Sequence, residues 1–281
     1  MKILLLGANG CLGKQFQVLF KSKKIKFFPI TRKNFNFKGN YSDLNKIVEL
    51  YKPNFIINCI ALTGLIYCEN KKRLANEINY KIPYNVIKLI KKKNIRFIHF
   101  SSEAVFEGKV LNKTYNENSI ARPRSIYGKT KLKADKCVMA YKNGVVVRIP
   151  LLFGPTHKNQ IVASIIKKIK IQKEVFISDN IFSTPLYSPI LCNFIFKNLL
   201  KKNSFEKKKL IHVTSDRLLS LYDLIIQLSK KIKNKDKSKI INVKDEFFKS
   251  KINVKPKNLG LKSIYPMCNF KIDFKKINDF I

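Results

Sequence analysis

A tyrosine and a lysine stand four residues apart in the segment Tyr127-Gly128-Lys129-Thr130-Lys131. The segment has the pattern of a helix start. Positions i and i+4 share one helix face, so the lysine can lie beneath the phenol and favour its phenolate. A tyrosine activated in this way can pass a proton to or from a carbonyl or an alcohol. Because Tyr-x-x-x-Lys spacings are common and often coincidental, this interpretation depends on the surrounding sequence.

Two hydroxyls and a carboxylate, those of Ser101, Ser102 and Glu103, follow an apolar segment that is predicted to be a strand. In a doubly wound sheet, ligands bind beyond the carboxyl ends of the strands. At that edge Ser102 can hydrogen-bond a substrate oxygen while Tyr127 transfers the proton. Taken alone, the two serines are equally well explained as a cap at the end of the strand.

The first twenty residues have the strand, turn and helix order that a dinucleotide pyrophosphate needs. The apolar run Lys2–Leu6, too short for a signal peptide, leads into Gly7, Gly10 and Gly13 with the spacing G-x-x-G-x-x-G. Glycines allow a tight turn and a close backbone approach, and the helix N-terminus supplies N–H groups and a positive dipole end. An ordinary glycine-rich βα turn is the alternative, but the cofactor-binding interpretation is favoured.

Composition indicates a globular protein of one large domain or two unequal ones, with 281 residues of which 45% are hydrophobic. No run approaches the roughly 18 apolar residues that a membrane span requires. The six cysteines are scattered without C-x-x-C pairs, which predicts reduced thiols and a cytoplasmic location, with neither zinc nor a disulfide framework.

The formal net charge of +39 comes almost entirely from lysines spread along the whole chain. Ile and Asn are also abundant, and A/T-rich codons produce this combination without a ligand. There is no helix-turn-helix and no aromatic-plus-basic RNA motif, and diffuse charge binds polyanions weakly. We therefore expect no specific nucleic-acid partner and no membrane, although the charge would attract an anionic nucleotide substrate.

Strand-like and helix-like segments alternate along the chain. This rhythm predicts an α/β fold, a Rossmann-type doubly wound parallel sheet with a smaller C-terminal α/β substrate-binding part. The predicted division is 1–152, with some later segments returning to the sheet, and 153–281. The predicted strands are 25–30, 55–59, 95–100, 144–149, 175–178 and 210–214, and the predicted helices are 44–51, 74–93, 127–141, 161–171, 189–202 and 219–233.

The chain resembles an extended short-chain dehydrogenase/reductase in the order of six residues: Gly7, Gly10, Gly13, Ser102, Tyr127 and Lys131. Three stretches (58–63, 101–108 and 127–132) resemble dTDP-4-dehydrorhamnose reductases more closely than nucleotide-sugar epimerases. The likeness covers residues 1 to about 190 in order and spacing.

The resemblance implies a role for each matching residue. Ser102 would orient the sugar carbonyl, Tyr127 would donate the proton, and Lys131 would lower the tyrosine pKa and hold the nicotinamide ribose. The remaining cofactor contacts that it implies are Cys11, Leu12 and Gly13 on the pyrophosphate, Asn40 and Tyr41 near the adenine, and Ala61, Leu62 and Thr63 along the middle of the cofactor.

The chain departs from the family pattern around the sugar. Ser102-Glu103-Ala104 stands where the family usually has Thr-Asp-Tyr, and Asn40-Tyr41 where Asp-Phe is common. Leu151 replaces a substrate-facing Trp, and the chain has no Trp. We therefore expect intact reduction machinery and a sugar pocket of altered shape, in which Glu103 and Leu151 face the substrate.

The predicted cofactor is NADPH, with NADH as the alternative. Thr31 and Arg32 follow the second predicted strand, where an acidic residue would bind a free ribose 2′-hydroxyl. Hydroxyl and basic side chains there favour a 2′-phosphate, although the high lysine and arginine content of the chain also explains them.

The resulting prediction is NAD(P)H-dependent reduction of the 4-keto group of a nucleotide-activated deoxysugar, in polysaccharide synthesis. One alternative is an epimerase or dehydratase that retains NAD; the other is a non-catalytic, subunit-like relative that binds the dinucleotide. A homodimer is left open. No metal site is predicted, because His99 has the setting of a packed imidazole and His157 and His212 lack metal-ligand spacing.

Overall fold

The structure is a computed structural model that describes residues 1–33, 35–36, 41–109, 113–156, 160–202, 204–232, 238–248 and 256–277. In chain order its strands are β1 (Ile3–Leu6), β2 (Phe27–Ile30), β3 (Phe55–Asn58), β4 (Arg96–Ser102), β5 (Gly144–Ile149), β6 (Leu152–Phe153), β7 (Glu174–Ser178), β8 (Phe182–Ser183), β9 (Leu186–Tyr187), β10 (Leu210–His212), β11 (Thr214–Ser215), β12 (Leu219–Ser220), β13 (Lys239–Val243) and β14 (Asn269–Phe270).

The α-helices, again in chain order, are α1 (Cys11–Ser22), α2 (Ser42–Tyr51), α3 (Leu65–Asn70), α4 (Lys72–Asn76), α5 (Ile82–Ile90), α6 (Ile126–Ala140), α7 (Ile161–Ile171), α8 (Ser188–Ile195) and α9 (Leu221–Ser229). π-Helical turns at Glu77–Lys81 and Phe196–Lys201 follow α4 and α8. Short 3-10 helices span Glu103–Val105, Asp245–Phe248, Pro266–Cys268 and Phe274–Lys276.

Six strands form the central sheet in the order β10-β5-β4-β3-β1-β2. Every neighbouring pair in it is parallel, so the chain must cross over between strands, and each of these crossovers contains at least one helix. The direction of strand addition reverses between β1 and β3, and doubly wound sheets bind ligands beyond the carboxyl ends of the strands at such a point. The predicted Rossmann-type α/β fold is confirmed.

Apolar side chains fill a separate core on each face of the sheet. Leu4 and Leu5 are neighbours in β1 but belong to opposite cores, as the two-residue period of a strand requires. Phe16 of α1 packs in the core on the Leu5 side, and Val86 of α5 packs in the core on the Leu4 side. Because both faces are covered, the polar residues of the site are concentrated at the carboxyl edge.

The helix predicted at 74–93 is instead α4, a π turn and α5, which ends at Ile90. Pro83 has no N–H to donate into the preceding turn, and the widened turn lies directly before it. A short helix that was not predicted, α3, also lies between β3 and α4. By contrast, β5 and α7 have the predicted bounds.

The second half of the chain contributes β10 to the central sheet, where it pairs with β5. Smaller pairings there were not predicted, among them β13 alongside β7. The division near residue 152 stays a prediction. All six cysteines are free thiols. Within the described part of the chain, no helix has the length and apolar character needed to cross a membrane.

Candidate active site

The carboxyl end of β4 and the first turn of α6 bring Ser102 and Tyr127 together. Ser102 is the last residue of β4, and Tyr127 is the second residue of α6. The Ser102 side chain is near enough to the Tyr127 hydroxyl to lower the pKa of that phenol. This close approach depends on Gly128, because a Cβ at that position would lie 2.0 Å from the carbonyl oxygen of Ala104. Two residues predicted to act on the same substrate oxygen are therefore in contact.

Two side chains fix the start of α6. Ser125 Oγ accepts a hydrogen bond from the N–H of Gly128 at 3.0 Å, and Glu69 Oε1 accepts one from the N–H of Ile126 at 2.6 Å. Both satisfy N–H groups that have no partner within a helix at its first turn. Sequence analysis missed Glu69, and nothing in the sequence connects it with the helix that carries Tyr127.

Burial raises the pKa of Tyr127 to about 12, and the neighbouring Ser102 hydroxyl opposes this rise. Cys68 and the carboxylates of Glu103 and Asp135 add to the rise. The net lowering of this pKa that we expected from Lys131 is therefore not observed in this structure. Tyr127 is a phenol at neutral pH, which is the form that can donate a proton.

Lys131 lies one turn beyond Tyr127 and is 1% exposed. Its Nζ donates a hydrogen bond to the carbonyl oxygen of Phe100 at 2.6 Å and lies 3.2 Å from His99 Nε2. Burial lowers the pKa of Lys131 to about 8, although Asp135 and Cys59 oppose this effect. A lysine with that pKa changes its charge close to neutral pH.

A buried ion pair follows one turn farther along α6. Arg148 Nε donates to Asp135 Oδ2 at 3.0 Å, and the two residues are 3% and 0% exposed. The Arg148 guanidinium also lies 5.2 Å from the ring centroid of Phe106. Sequence analysis did not single out this pair, although an acid four residues after Lys131 and an arginine within an apolar strand were available signals.

Glu103 and Leu151 lie where the site meets the second half of the chain. Ser183 Oγ donates to Glu103 Oε2 at 2.6 Å and accepts the backbone N–H of Leu151 at 3.3 Å. Burial raises the pKa of Glu103 to about 8. Glu103 and Leu151, two of the three predicted substrate-binding residues, line one cavity of about 720 Å³ with mostly apolar walls, a volume typical of small-molecule sites.

The β1–α1 turn is a second close backbone contact at this edge. A Cβ at Gly13 would lie 2.3 Å from the carbonyl oxygen of Gly7, so no other residue fits there without a shift. Gly10 is the N-cap of α1, and Cys11, Leu12 and Gly13 form its first turn. The turn therefore presents backbone N–H groups and the positive end of the helix dipole.

Two of the predicted adenosine-side residues, Thr31 and Arg32, are at the carboxyl end of β2. Thr31 and Arg32 follow this strand directly, and Arg32 is exposed. Tyr41 precedes α2, and its ring contacts that of Phe35 at a centroid distance of 5.5 Å. Asn40 lies outside the described residues.

Ala61, Leu62 and Thr63 follow β3 at the same edge, and Asn79 fixes the middle one. Asn79 Oδ1 accepts the N–H of Leu62 at 2.7 Å, and Nδ2 donates to the Leu62 carbonyl oxygen at 3.1 Å and to Thr130 Oγ1 at 3.2 Å. Sequence analysis missed Asn79, which is fully buried in the first π turn. An amide on the apolar face of a predicted helix was the available signal.

These features fit a dinucleotide. The β1–α1 turn with Gly7, Gly10 and Gly13, called the glycine cradle below, and the N-terminus of α1 suit a pyrophosphate. The exposed Arg32 at the end of β2 suits a ribose 2′-phosphate. In the ranges that the structure describes, no group of three or more His, Cys, Asp or Glu side chains is placed to hold a metal ion.

Two curated relatives share part of this chain. Methionine adenosyltransferase 2 subunit beta of Pongo abelii is 31% identical over 165 residues, 56% of this chain and 48% of that protein. The dTDP-4-keto-6-deoxy-D-glucose reductase of Streptomyces niveus is 24% identical over 187 residues, 66% of this chain and 64% of that one. The chain thus spans about half the length of the first relative and less than two thirds of the second.

Solved structures match over more of the chain. A dTDP-4-dehydrorhamnose reductase from Clostridium acetobutylicum has a TM-score of 0.83 at 28% identity, covering 93% of this chain and 90% of that one. The Bacillus anthracis enzyme of that name, in complex with NADP, has the same TM-score and coverage at 24% identity, which shows a shared fold. The family model described as the RmlD substrate binding domain matches residues 1–263. This chain belongs to that family.

Proposed function

We propose that this protein is an NADPH-dependent reductase of the 4-keto group of a nucleotide-activated deoxysugar, with NADH as the alternative cofactor. The observation that carries the proposal is the placement of Ser102, at the end of β4, beside Tyr127, in the first turn of α6, at the carboxyl edge of the sheet. The same edge holds the glycine cradle of Gly7 and Gly13. An acid, an oxygen-orienting hydroxyl and a pyrophosphate site therefore converge at one place.

Each site residue has a distinct role in this reaction. Ser102 donates a hydrogen bond to the sugar carbonyl oxygen and orients it toward Tyr127, which gives that oxygen its proton. Lys131, in its ammonium form, stabilises the phenolate that Tyr127 leaves. When bound, the reduced nicotinamide supplies the hydride. The residues proposed to hold it, besides Tyr127 and Lys131, are Gly7, Gly10, Cys11, Leu12, Gly13, Thr31, Arg32, Tyr41, Ala61, Leu62 and Thr63.

The substrate proposal rests on the cavity beside Glu103. Its walls are mostly apolar, and Leu151 contributes to them, which suits a deoxysugar better than a fully hydroxylated one. Because the pKa of Glu103 is raised to about 8, its carboxyl is mostly protonated at neutral pH and can donate to a sugar hydroxyl. The Streptomyces relative is named for a dTDP-4-keto-6-deoxysugar, and we propose a substrate of that class here.

The test is to follow NADPH absorbance with a panel of nucleotide 4-ketosugars. Oxidation of NADPH that requires the sugar supports the reductase. A protein that is purified with tightly bound NAD and converts nucleotide sugars without net oxidation of NADPH is an epimerase or dehydratase instead.

A second candidate is a subunit that binds the dinucleotide without turnover. It is favoured by the relative named methionine adenosyltransferase 2 subunit beta, at 31% identity over 56% of this chain. This candidate predicts NADPH binding in calorimetry with no oxidation by any ketosugar. The contact between Ser102 and Tyr127 favours the reductase, because binding alone does not require a proton donor at the sheet edge.

A further inference from the structure

Asn58 and His99 lie directly behind Lys131 in the interior of the protein. They are partners in register on the neighbouring strands β3 and β4, and both are 0% exposed. The three side chains form a continuous line: Asn58 Nδ2 is 2.9 Å from His99 Nδ1, and His99 Nε2 is 3.2 Å from Lys131 Nζ. The roles proposed above for Ser102, Tyr127 and Lys131 do not use the first two residues of this line.

Hydrogen-bond directions in this line follow from the backbone. Asn58 Oδ1 accepts the N–H of Ile60 at 3.1 Å, which fixes the amide orientation, because the opposite orientation would set two donors against each other. The amide nitrogen of Asn58 therefore faces His99 and donates to Nδ1. Burial and the nearby Lys131 hold the pKa of His99 well below its ordinary value, so the ring is neutral. Its one hydrogen is then on Nε2 and points toward Lys131.

An ammonium group cannot accept that hydrogen, whereas an amine can. Lys131 Nζ can still donate to the Phe100 carbonyl oxygen at 2.6 Å in either form. The arrangement around Nζ, one acceptor on one side and one N–H donor on the other, therefore matches an amine that donates once and accepts once.

We propose that Asn58 and His99 are positioning residues that set the protonation state of Lys131: Asn58 fixes the imidazole tautomer, and the resulting Nε2–H stabilises the lysine amine. The effect of this arrangement on turnover rests on the function proposed above. The tautomer of His99 does not depend on that function. With this arrangement Lys131 can switch between ammonium and amine during the reaction.

Other ionisable groups around Lys131 also influence its charge state. Asp135 on the same helix and Cys59 after β3 both favour the ammonium. The ion pair with Arg148 on β5 offsets part of the negative charge of Asp135. Tyr127 lies one turn earlier on α6, and Glu103 beyond β4 raises the pKa of that tyrosine. Among the charged and ionisable groups on these elements, His99 is the one that presents a hydrogen to Nζ.

The tautomer can be measured directly, because the chain has only three histidines. Nitrogen-15 NMR of histidine-labelled protein separates protonated from unprotonated ring nitrogens, and a His99→Phe variant identifies the signals of His99. We expect one neutral ring with hydrogen on Nε2 throughout pH 6–9. A hydrogen on Nδ1, or an imidazolium signal within that range, overturns the proposal whether or not the protein reduces a ketosugar.

An Asn58→Asp variant should reverse the direction of the hydrogen bonds from residue 58 through His99 to Lys131. The carboxylate accepts a hydrogen from Nδ1, so Nε2 becomes an acceptor that favours the ammonium of Lys131. The NMR signals of His99 should then report the other tautomer, and the alkaline limb of the kcat profile should move up by about 1 pH unit or more. Asn94→Asp, at an exposed position at the other end of the sheet, should leave both unchanged.

The two proposals fail in different ways. If no ketosugar is reduced, the function is wrong while the tautomer still stands or falls by NMR. If turnover occurs and Asn58→Asp shifts neither the tautomer nor the pH profile, the function stands and the positioning role is wrong.

Discussion

Ser183 Oγ donates a hydrogen bond of 2.6 Å to Glu103 Oε2, and this bond links the residue after Ser102 to β8 in the second half of the chain. The carboxyl is 9% exposed, and burial raises its pKa to about 8. The acid that borders the proposed sugar pocket is therefore also a contact between the two halves, and its protonation has consequences for stability.

The free energy of unfolding should fall as the pH rises from about 4.5 to about 8, because Glu103 keeps its proton over a range in which an unfolded glutamate has lost it. Glu103→Gln removes this contribution, so its free energy of unfolding, measured with urea, should decrease less between pH 5 and pH 8. In Glu174→Gln, at an exposed position, the decrease should equal that of the native protein. An identical pH dependence in Glu103→Gln would show that this carboxyl ionises normally.

Gly128→Ala should separate Tyr127 from Ser102. The added methyl group would lie 2.0 Å from the carbonyl oxygen of Ala104, so the first turn of α6 must move. We expect a loss of about 1–3 kcal/mol in stability and a fall in kcat larger than that in NADPH affinity. Lys129→Ala, at an exposed position in the same turn, is the matched control and should change little. Full activity in Gly128→Ala would contradict the need for this close approach.

Asp135→Asn should destabilise the protein by about 3–5 kcal/mol, because it leaves the Arg148 charge buried without its partner. Thermal and urea unfolding measure the loss. The more exposed pair of Lys81 and Glu77 provides the comparison, since Glu77→Gln should cost less than about 1 kcal/mol. Equal small losses in the two variants would mean that the buried pair contributes no more than a surface pair.

Arg32→Ser should weaken NADPH binding by about 10-fold or more while leaving NADH binding nearly unchanged, because a hydrogen bond to a charged group contributes about 1.5–3 kcal/mol. Isothermal calorimetry with both nucleotides gives the ratio. Lys21→Ser, at an exposed position near the end of α1, controls for the loss of one positive charge. A proportional loss for NADH would show that Arg32 does not distinguish the 2′-phosphate.

Local spacing was sufficient to predict part of this site. The glycine turn, the strand that ends at Ser102 and the helix that carries Tyr127 each follow from a short contiguous pattern. The topology of a parallel sheet then brings their ends to one edge. The fold class was predicted for the same reason, since alternating strands and helices have few arrangements.

The residues that sequence analysis missed act across long stretches of chain. Asn79 bonds Leu62 from a helix, and Glu69 caps a helix that begins 57 residues later. His99 was correctly interpreted as a packed imidazole, but its contact with Lys131 depends on the register of β4 against α6. Burial dominates the Tyr127 pKa and raises it, and burial cannot be read from an i, i+4 spacing.

Deuterium-labelled NADPH shows whether the nicotinamide hydride reaches C4 of the sugar. The protein is incubated with NADPH deuterated at C4 of the nicotinamide, in each of the two stereochemical forms, and with dTDP-4-keto-6-deoxy-D-glucose or dTDP-4-dehydrorhamnose. We expect deuterium at C4 of the product sugar from one form only. We also expect Tyr127→Phe to slow turnover by about 10²–10⁴-fold with NADPH binding intact, whereas Tyr84→Phe, at an exposed tyrosine, should not. Bound NADPH that never delivers its deuterium to either sugar would show that this protein does not reduce them.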